Sequence, residues 1–129
     1  MDPRFLEPGE ILRIHLDQIR RYGGTEGLRD RGLLESAVAT PQASFGGEFL
    51  HKDLFEMAAA YVFHIAMDHP FIDGNKRTGA AAAVIFLKLN GWELNMENKS
   101  FESVVRSVAE GLLRKEELAG VFREACKAI

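Results

Sequence analysis

The sequence predicts an all-α fold: a compact bundle of about six helices around a central buried helical hairpin, with one short flap loop or hairpin on its side. Two observations carry this. Apolar residues recur at helical spacing over most of the chain, and two segments, "LFEMAAAYVFHIAM" and "AAAAVIFLKLNG", are apolar on nearly every face. A helix apolar all round belongs at the centre of a fold, and the small alanines of the second segment let a neighbouring helix come close.

After Pro8, apolar residues at Leu12, Leu16 and Ile19 mark a first helix, which Gly23-Gly24 stops by supplying positive φ. Asp30 can cap a second helix bearing Leu33, Leu34, Ala37 and Val38. It must end near Thr40, since Pro41 disfavours helical geometry in the residue before it. The stretch "QASFGGEFLHK", with adjacent glycines and Phe45, Phe49 and Leu50 expected at the surface, is the flap. Asp53 with Glu56 forms an aspartate capping box that opens the first all-apolar helix, and Gly91 stops the second. "WELNM" reads as a short extended piece. Phe101, Val104, Val105, Val108 and Leu112 then mark one amphipathic helix, and Leu118, Val121, Phe122, Ala125 and Ile129 mark the last.

Composition narrows the function. The 129 residues, 47% hydrophobic and 27% charged, fit a single domain spanning 1–129. A net charge of −3 gives no footprint for direct nucleic-acid binding, and the apolar run after Gly79 is closed by Lys88 too early to span a membrane. The single cysteine, Cys126, cannot form an internal disulfide. A reactive role for it is not expected, and a cytoplasmic location is.

Between the two all-apolar helices lies "HPFIDGNKRTG", residues 69–79. Its second half is the first turn of the later helix, where unpaired backbone N–H groups attract anions. Gly74 lets a phosphate oxygen approach closely, and Asn75 offers a side-chain amide. Lys76 is a mobile point charge, and Arg77 can fork onto phosphate oxygens. Asp73 would repel phosphate alone, so a bridging Mg²⁺ is implied, a hard cation that takes one or two carboxylates plus phosphate oxygens. His69 is placed to accept a hydroxyl proton, and Phe71 anchors the loop. A plain "DG" turn with solvated Lys76 and Arg77 is the bland alternative for part of this string. His64 and Asp68, spaced i, i+4, are open to a reading as metal ligands or as boundary residues of a buried helix. His15 and His51 stand alone, and the flap aromatics are either docking surface or local core.

"HPFIDGNKR" resembles the signature of the Fic/Doc superfamily, and "GLRDRGLLESAVATPQASFGG" looks like the segment preceding the flap in its Doc, or death-on-curing, branch. The resemblance implies an all-α fold and transfer of part of a nucleoside triphosphate to a protein hydroxyl. It assigns His69 as general base, Asp73 as the Mg²⁺ carboxylate, Gly74 and Asn75 as anion-hole residues, Arg77 as phosphate ligand and Phe71 as buried anchor. Two departures from the Fic adenylyltransferase pattern, Lys76 for glycine and Ala80 for the second arginine, point to the Doc branch. Pro70 and Gly74 are Fic-like framing.

The Doc branch implies a kinase that binds ATP in the reverse sense and moves its γ-phosphoryl to a threonine or serine, with elongation factor Tu as the known kind of target, so arresting translation. An adenylyltransferase and a non-catalytic binding partner are the alternatives. The family's inhibitory helix has no clean copy in the chain: Ser44 with Glu48 comes nearest, but Phe49 follows. Control is therefore expected from a separate antitoxin whose C-terminal tail lies in the active-site groove. Phe45, Phe49 and Leu50 of the flap are expected to dock the target.

Overall fold

A computed structural model describes residues 2–129. Helix α1 runs over Pro8–Tyr22 and α2 over Arg31–Ala39, followed by a 3₁₀ turn at Thr40–Gln42. A small hairpin pairs β1 (Ser44–Phe45) with β2 (Glu48–Phe49), and α3 (Leu54–Asp68) and α4 (Asn75–Leu89) follow. The chain closes with β3 (Trp92–Leu94), α5 (Asn98–Ala109), α6 (Lys115–Ala125) and β4 (Cys126–Ala128).

Local chemistry sets these boundaries. Pro8 occupies the first turn of α1, and Glu7 and Glu10 complete a capping box in which the Glu7 N–H donates to Glu10 Oε1 at 3.0 Å. The Asp30 carboxylate accepts the Leu33 N–H at 3.0 Å, and the Asp53 carboxylate accepts the Glu56 N–H at 2.8 Å. Asp30 and Asp53 are the caps expected from sequence, but the Glu56 carboxylate accepts the Lys52 N–H at 3.1 Å and not that of Asp53, so the expected capping box does not close. Gly91, at φ 92°, follows the end of α4.

Helices α3 and α4 form the central hairpin and pack against each other more extensively than any other pair. The reason lies partly at Gly79, where an added Cβ would sit 3.1 Å from the Val62 carbonyl oxygen and 3.3 Å from its Cα. Ala58, Ala59, Tyr61, Val62 and Ile65 of α3 face Ala82, Ala83, Phe86 and Leu87 of α4 in one core, which Ile11, Leu34, Val105 and Phe122 complete from the surrounding helices. Cys126 belongs to the same core, and burial pushes its thiol up from the ordinary value, as suits an inert packed side chain.

The structure corrects the sequence reading at three further places. The last helix does not reach Ile129: it stops at Ala125, and β4 pairs antiparallel with β3, Leu94 opposite Cys126 and Trp92 opposite Ala128. The unpaired backbone of "WELNM" needed a partner, and the chain end supplies it. Helix α5 ends at Ala109 with Gly111 at φ 77°, so Leu112 is 75% exposed and Leu113 turns inward in its place. In the flap, Gly46 and Gly47 at φ 60° and 83° make a tight hairpin turn. Phe45 and Leu50 are exposed as expected, but Phe49 is half-buried, its ring 5.5 Å from that of Phe5. Phe5 in turn stacks on Phe86 at 5.8 Å, so Phe49 anchors the hairpin to the core.

Candidate active site

Helix α3 cannot continue into Pro70, whose ring disfavours helical geometry in the preceding residue. His69 caps the helix at φ 51° and ψ 55°, and among the described residues it is the one non-glycine at positive φ. That left-handed conformation costs about 1–2 kcal/mol in a residue with a Cβ. It turns the chain away from α3 and leaves the His69 side chain at the surface. Pro70 and Phe71 then dive inward. The Phe71 ring is buried, as expected of an anchor, and stacks on the His15 ring at 3.8 Å and 4°.

Asn75 closes the loop. Its Oδ1 accepts the Phe71 N–H and its Nδ2 donates to the Phe71 carbonyl, both at 2.9 Å. The same Nδ2 lies 3.4 Å from His69 Nδ1, near enough to orient the imidazole without claiming its lone pair outright. The side-chain amide expected to face phosphate is thus committed inside the loop, because a buried turn has to satisfy its own backbone. What Asn75 can offer an anion is its main-chain N–H. Gly74, the N-cap of α4 at φ 77°, is also adjusted: its N–H donates to Asp73 Oδ1 at 2.8 Å. The helix-start donors without an intrahelical acceptor are those of Asn75, Lys76 and Arg77.

The Asp73 carboxylate is held from two sides, Oδ1 by Gly74 and Oδ2 by the Thr25 N–H at 3.0 Å. Those donors, Thr25 first and then Gly74, hold its carboxyl below the ordinary value against the opposing cost of desolvation, with Arg77 and His15 adding lesser contributions in the same direction. His15 also donates from Nε2 to the Asp73 main-chain carbonyl at 2.8 Å. The carboxylate is ionised at neutral pH and exposed, and two of its roughly four lone-pair positions remain open. It fits a single-carboxylate ligand of a hard cation whose other ligands are phosphate oxygens and water. Among the described residues no three carboxylate, histidine or cysteine side chains cluster as a self-sufficient metal cage.

Lys76 is exposed and Arg77 half-buried, and both line a groove of about 830 Å³. Its floor is Ala80, Ala81 and Val84 of α4, and its far wall carries Phe101 and Arg106 of α5. Lys76 and Arg77 make one end of this groove cationic, whereas His69, Asp73, Gly74 and Asn75 do not line it. A smaller hollow of about 300 Å³ between Leu6, Arg13 and Ile85 holds none of the loop residues.

The flap stands apart from the loop. Among the described residues its hydrogen bonds and ring contacts run within the segment and to Thr40, Phe5, Glu56 and Lys115, with none to residues 69–77. His64 and Asp68 do not converge as a metal pair. His64 Nε2 lies 3.2 Å and His51 Nε2 3.1 Å from Lys115 Nζ, so both imidazoles accept from one ammonium. Burial, then Lys115, pushes His64 down to about 4.

Three contributors escaped sequence reasoning. His15 and Arg29 act on the loop through main-chain carbonyls, Arg29 reaching His69 O at 2.6 Å and Asp68 O at 3.0 Å. Gly24, read as a helix stop, also makes room: a Cβ there would sit 2.7 Å from Asp73 Oδ2 and 3.0 Å from Arg77 Nη2. The one signal available was the density of "GGTEGLRD" in glycine and charge just past a helix end.

Comparison with known proteins gives the family of the chain. The sequence pattern of the Fic/DOC family matches residues 5–87. Protein kinase doc of Escherichia phage P1 is 32% identical over 120 residues, covering 93% of this chain and 94% of that protein. Toxin Doc of Mycolicibacterium smegmatis is 47% identical over 73 residues, 57% of this chain and 56% of that protein. The matched stretch runs from before α1 to the end of α4 and so contains the loop and the residues that brace it, and the chain belongs to the Fic/DOC family.

Proposed function

We infer that the chain is a Doc-type toxin and protein kinase, which moves the γ-phosphoryl of ATP onto a threonine or serine hydroxyl of a protein. The observation that carries this is the meeting, in one loop, of an exposed imidazole, an ionised carboxylate and a helix start flanked by Lys76 and Arg77. The kinase relative aligned over nearly the whole chain supports the reaction type.

In this reading His69 takes the acceptor hydroxyl proton as the oxygen bonds to the γ-phosphorus, and the bond to the bridging oxygen breaks with its electrons leaving on ADP. The N–H groups of Asn75, Lys76 and Arg77 and the two side-chain cations hold the phosphates in line. A Mg²⁺ ion held by Asp73 would neutralise phosphate charge. Asn75 keeps the imidazole in place.

We propose elongation factor Tu as the kind of target, with translation arrest as the result, on the family resemblance. Phe45 and Leu50, exposed on the flap, are proposed to dock the target, with Phe49 as the hinge anchor beneath them. An antitoxin is the proposed regulator. The groove, with Lys76 and Arg77 at one end, the Glu102–Arg106 ion pair opposite and apolar Ala80, Ala81 and Val84 between, is proposed to take the C-terminal tail of such a partner. The lone cysteine favours the cytoplasm as the working compartment.

The test is intact mass and label transfer. Incubation of a candidate target with ATP and Mg²⁺ is expected to add one phosphoryl group, with label from γ-labelled ATP and none from α-labelled ATP. His69→Ala is expected to cut transfer by about 10² to 10⁴ with ATP affinity retained. Label from the α-position alone would instead establish the adenylyltransferase, and no transfer with retained partner binding would establish a binding module. Adding the tail peptide to the same assay should abolish the signal.

A further inference from the structure

The segment between α1 and α2 grips the end of α3. Main-chain N–H groups of Arg29 and Asp30 both donate to the Pro70 carbonyl, at 2.7 and 3.0 Å. The Ile72 N–H donates to Gly27 O at 3.1 Å, and Leu28 bridges to Phe71. To this backbone pairing Arg29 adds its guanidinium: Nε donates to His69 O at 2.6 Å and Nη2 to Asp68 O at 3.0 Å. One residue therefore occupies the carbonyls on both sides of the His69 Cα.

Geometry gives this pair of bonds its meaning. The Asp68 carbonyl belongs to the peptide plane before His69, and the His69 carbonyl to the plane after it. Fixing the first restrains φ of His69, fixing the second restrains ψ, and together they set where its Cβ points. The two dihedrals concerned are those of the strained left-handed cap, φ 51° and ψ 55°. A planar fork with fixed donor directions can span two successive carbonyls, which an ammonium on a flexible stem does poorly. A cation there also complements the negative end of α3, whose last carbonyls lack intrahelical donors.

We propose that Arg29 is a positioning residue: its guanidinium holds His69 in the left-handed conformation that presents the imidazole to the acceptor hydroxyl. This rests on His69 as the base of the phosphoryl transfer. Both side-chain hydrogen bonds of Arg29 go to main-chain carbonyls at His69, so it acts through that residue. Its loss leaves the anion site at the start of α4 intact and misdirects the base, so the effect falls on turnover and not on nucleotide binding.

The experiment uses the full chain with two readouts, steady-state transfer and the imidazole correlations of the four histidines by NMR without nucleotide. Arg29→Ala is expected to lower kcat about 10- to 100-fold with KM for ATP within about twofold. The His69 ring signal should move while those of His51 and His64 hold still. Arg29→Lys should recover part of the turnover and part of the shift. If the alanine variant does not fold, Arg29→Gln, with one amide donor and similar length, takes its place under the same expectation. Wild-type kcat with an unmoved His69 signal overturns the proposal, and so does a loss in which all four signals move together. Should the wild-type protein transfer nothing, the reading of the reaction fails alone, and the His69 signal decides the role of Arg29.

Discussion

At the scale of single residues, the polar groups of the loop are held by bonds to main-chain partners. Asp73 is the clearest case, its two oxygens steadied by Thr25 and Gly74 and its outer lone pairs open. Asp73→Asn should leave the fold in place, since an amide oxygen can still accept one of the two N–H bonds, but removes the charge a hard cation needs. We expect ATP binding to the variant to be the same with and without Mg²⁺, whereas wild-type binding tightens with the metal. Calorimetric titration in EDTA and in Mg²⁺ checks this, and metal-independent binding by the wild type would remove Asp73 from the metal site. The charged members of this loop were legible because "HPFIDGNKR" crowds them into one turn. The bracing residues were not. His15 and Arg29 bind main-chain carbonyls 58 and 40 positions away, and nothing in either residue's own neighbourhood announces a carbonyl acceptor.

Among the elements, those that pack by their own periodicity were readable and those defined by a partner were not. The all-apolar character of α3 and α4 gave the central hairpin, Asp53 and Gly91 gave its two outer boundaries, and Asp30 gave the start of α2. Strand β4 escaped because "ACKAI" continues the helical spacing of α6, and only the edge of β3 draws it into extended form. The flap shows the same divide within four residues: Phe45 and Phe49 are both aromatic, yet Phe5 waits beneath one of them alone. A test of docking therefore has to spare the anchor. Phe45→Asp with Leu50→Asp is expected to abolish modification of the protein target while thermal stability and ATP binding stay near wild type, because both side chains lie in solvent. Transfer at the wild-type rate by this double variant would exclude the flap as the docking surface.

Across the whole molecule, one half-buried cation ties the end of the bundle together. Lys115 at the start of α6 meets His51 at the end of the flap and His64 in α3, and the arrangement requires both rings neutral. His64 titrates near its ordinary 6.5 when unfolded and at about 4 when folded. The unfolded chain thus takes the proton first, so the contribution is complete above about pH 6.5 and is lost as pH falls toward 4. Melting temperatures measured across that range should fall more steeply for the wild type than for His64→Gln, which keeps an acceptor and does not titrate. Asp53, Asp73 and Glu117, whose carboxyls are also held low, act equally in both proteins and cancel. Parallel curves would show that the cluster does not govern acid stability.

The bonds that fix His69 come from a segment 40 positions upstream, across the first two helices. Central helices can form and even associate while that upstream segment is undocked, since long-range contacts carry the larger closure entropy and form late. A partly folded chain then has the whole motif in its covalent sequence and an undirected histidine in space. Presentation of the imidazole is thereby tied to the docking of the upstream segment: the motif in the sequence does not by itself make a directed side chain, and only the folded chain, with Arg29 on the carbonyls of Asp68 and His69, sets its course.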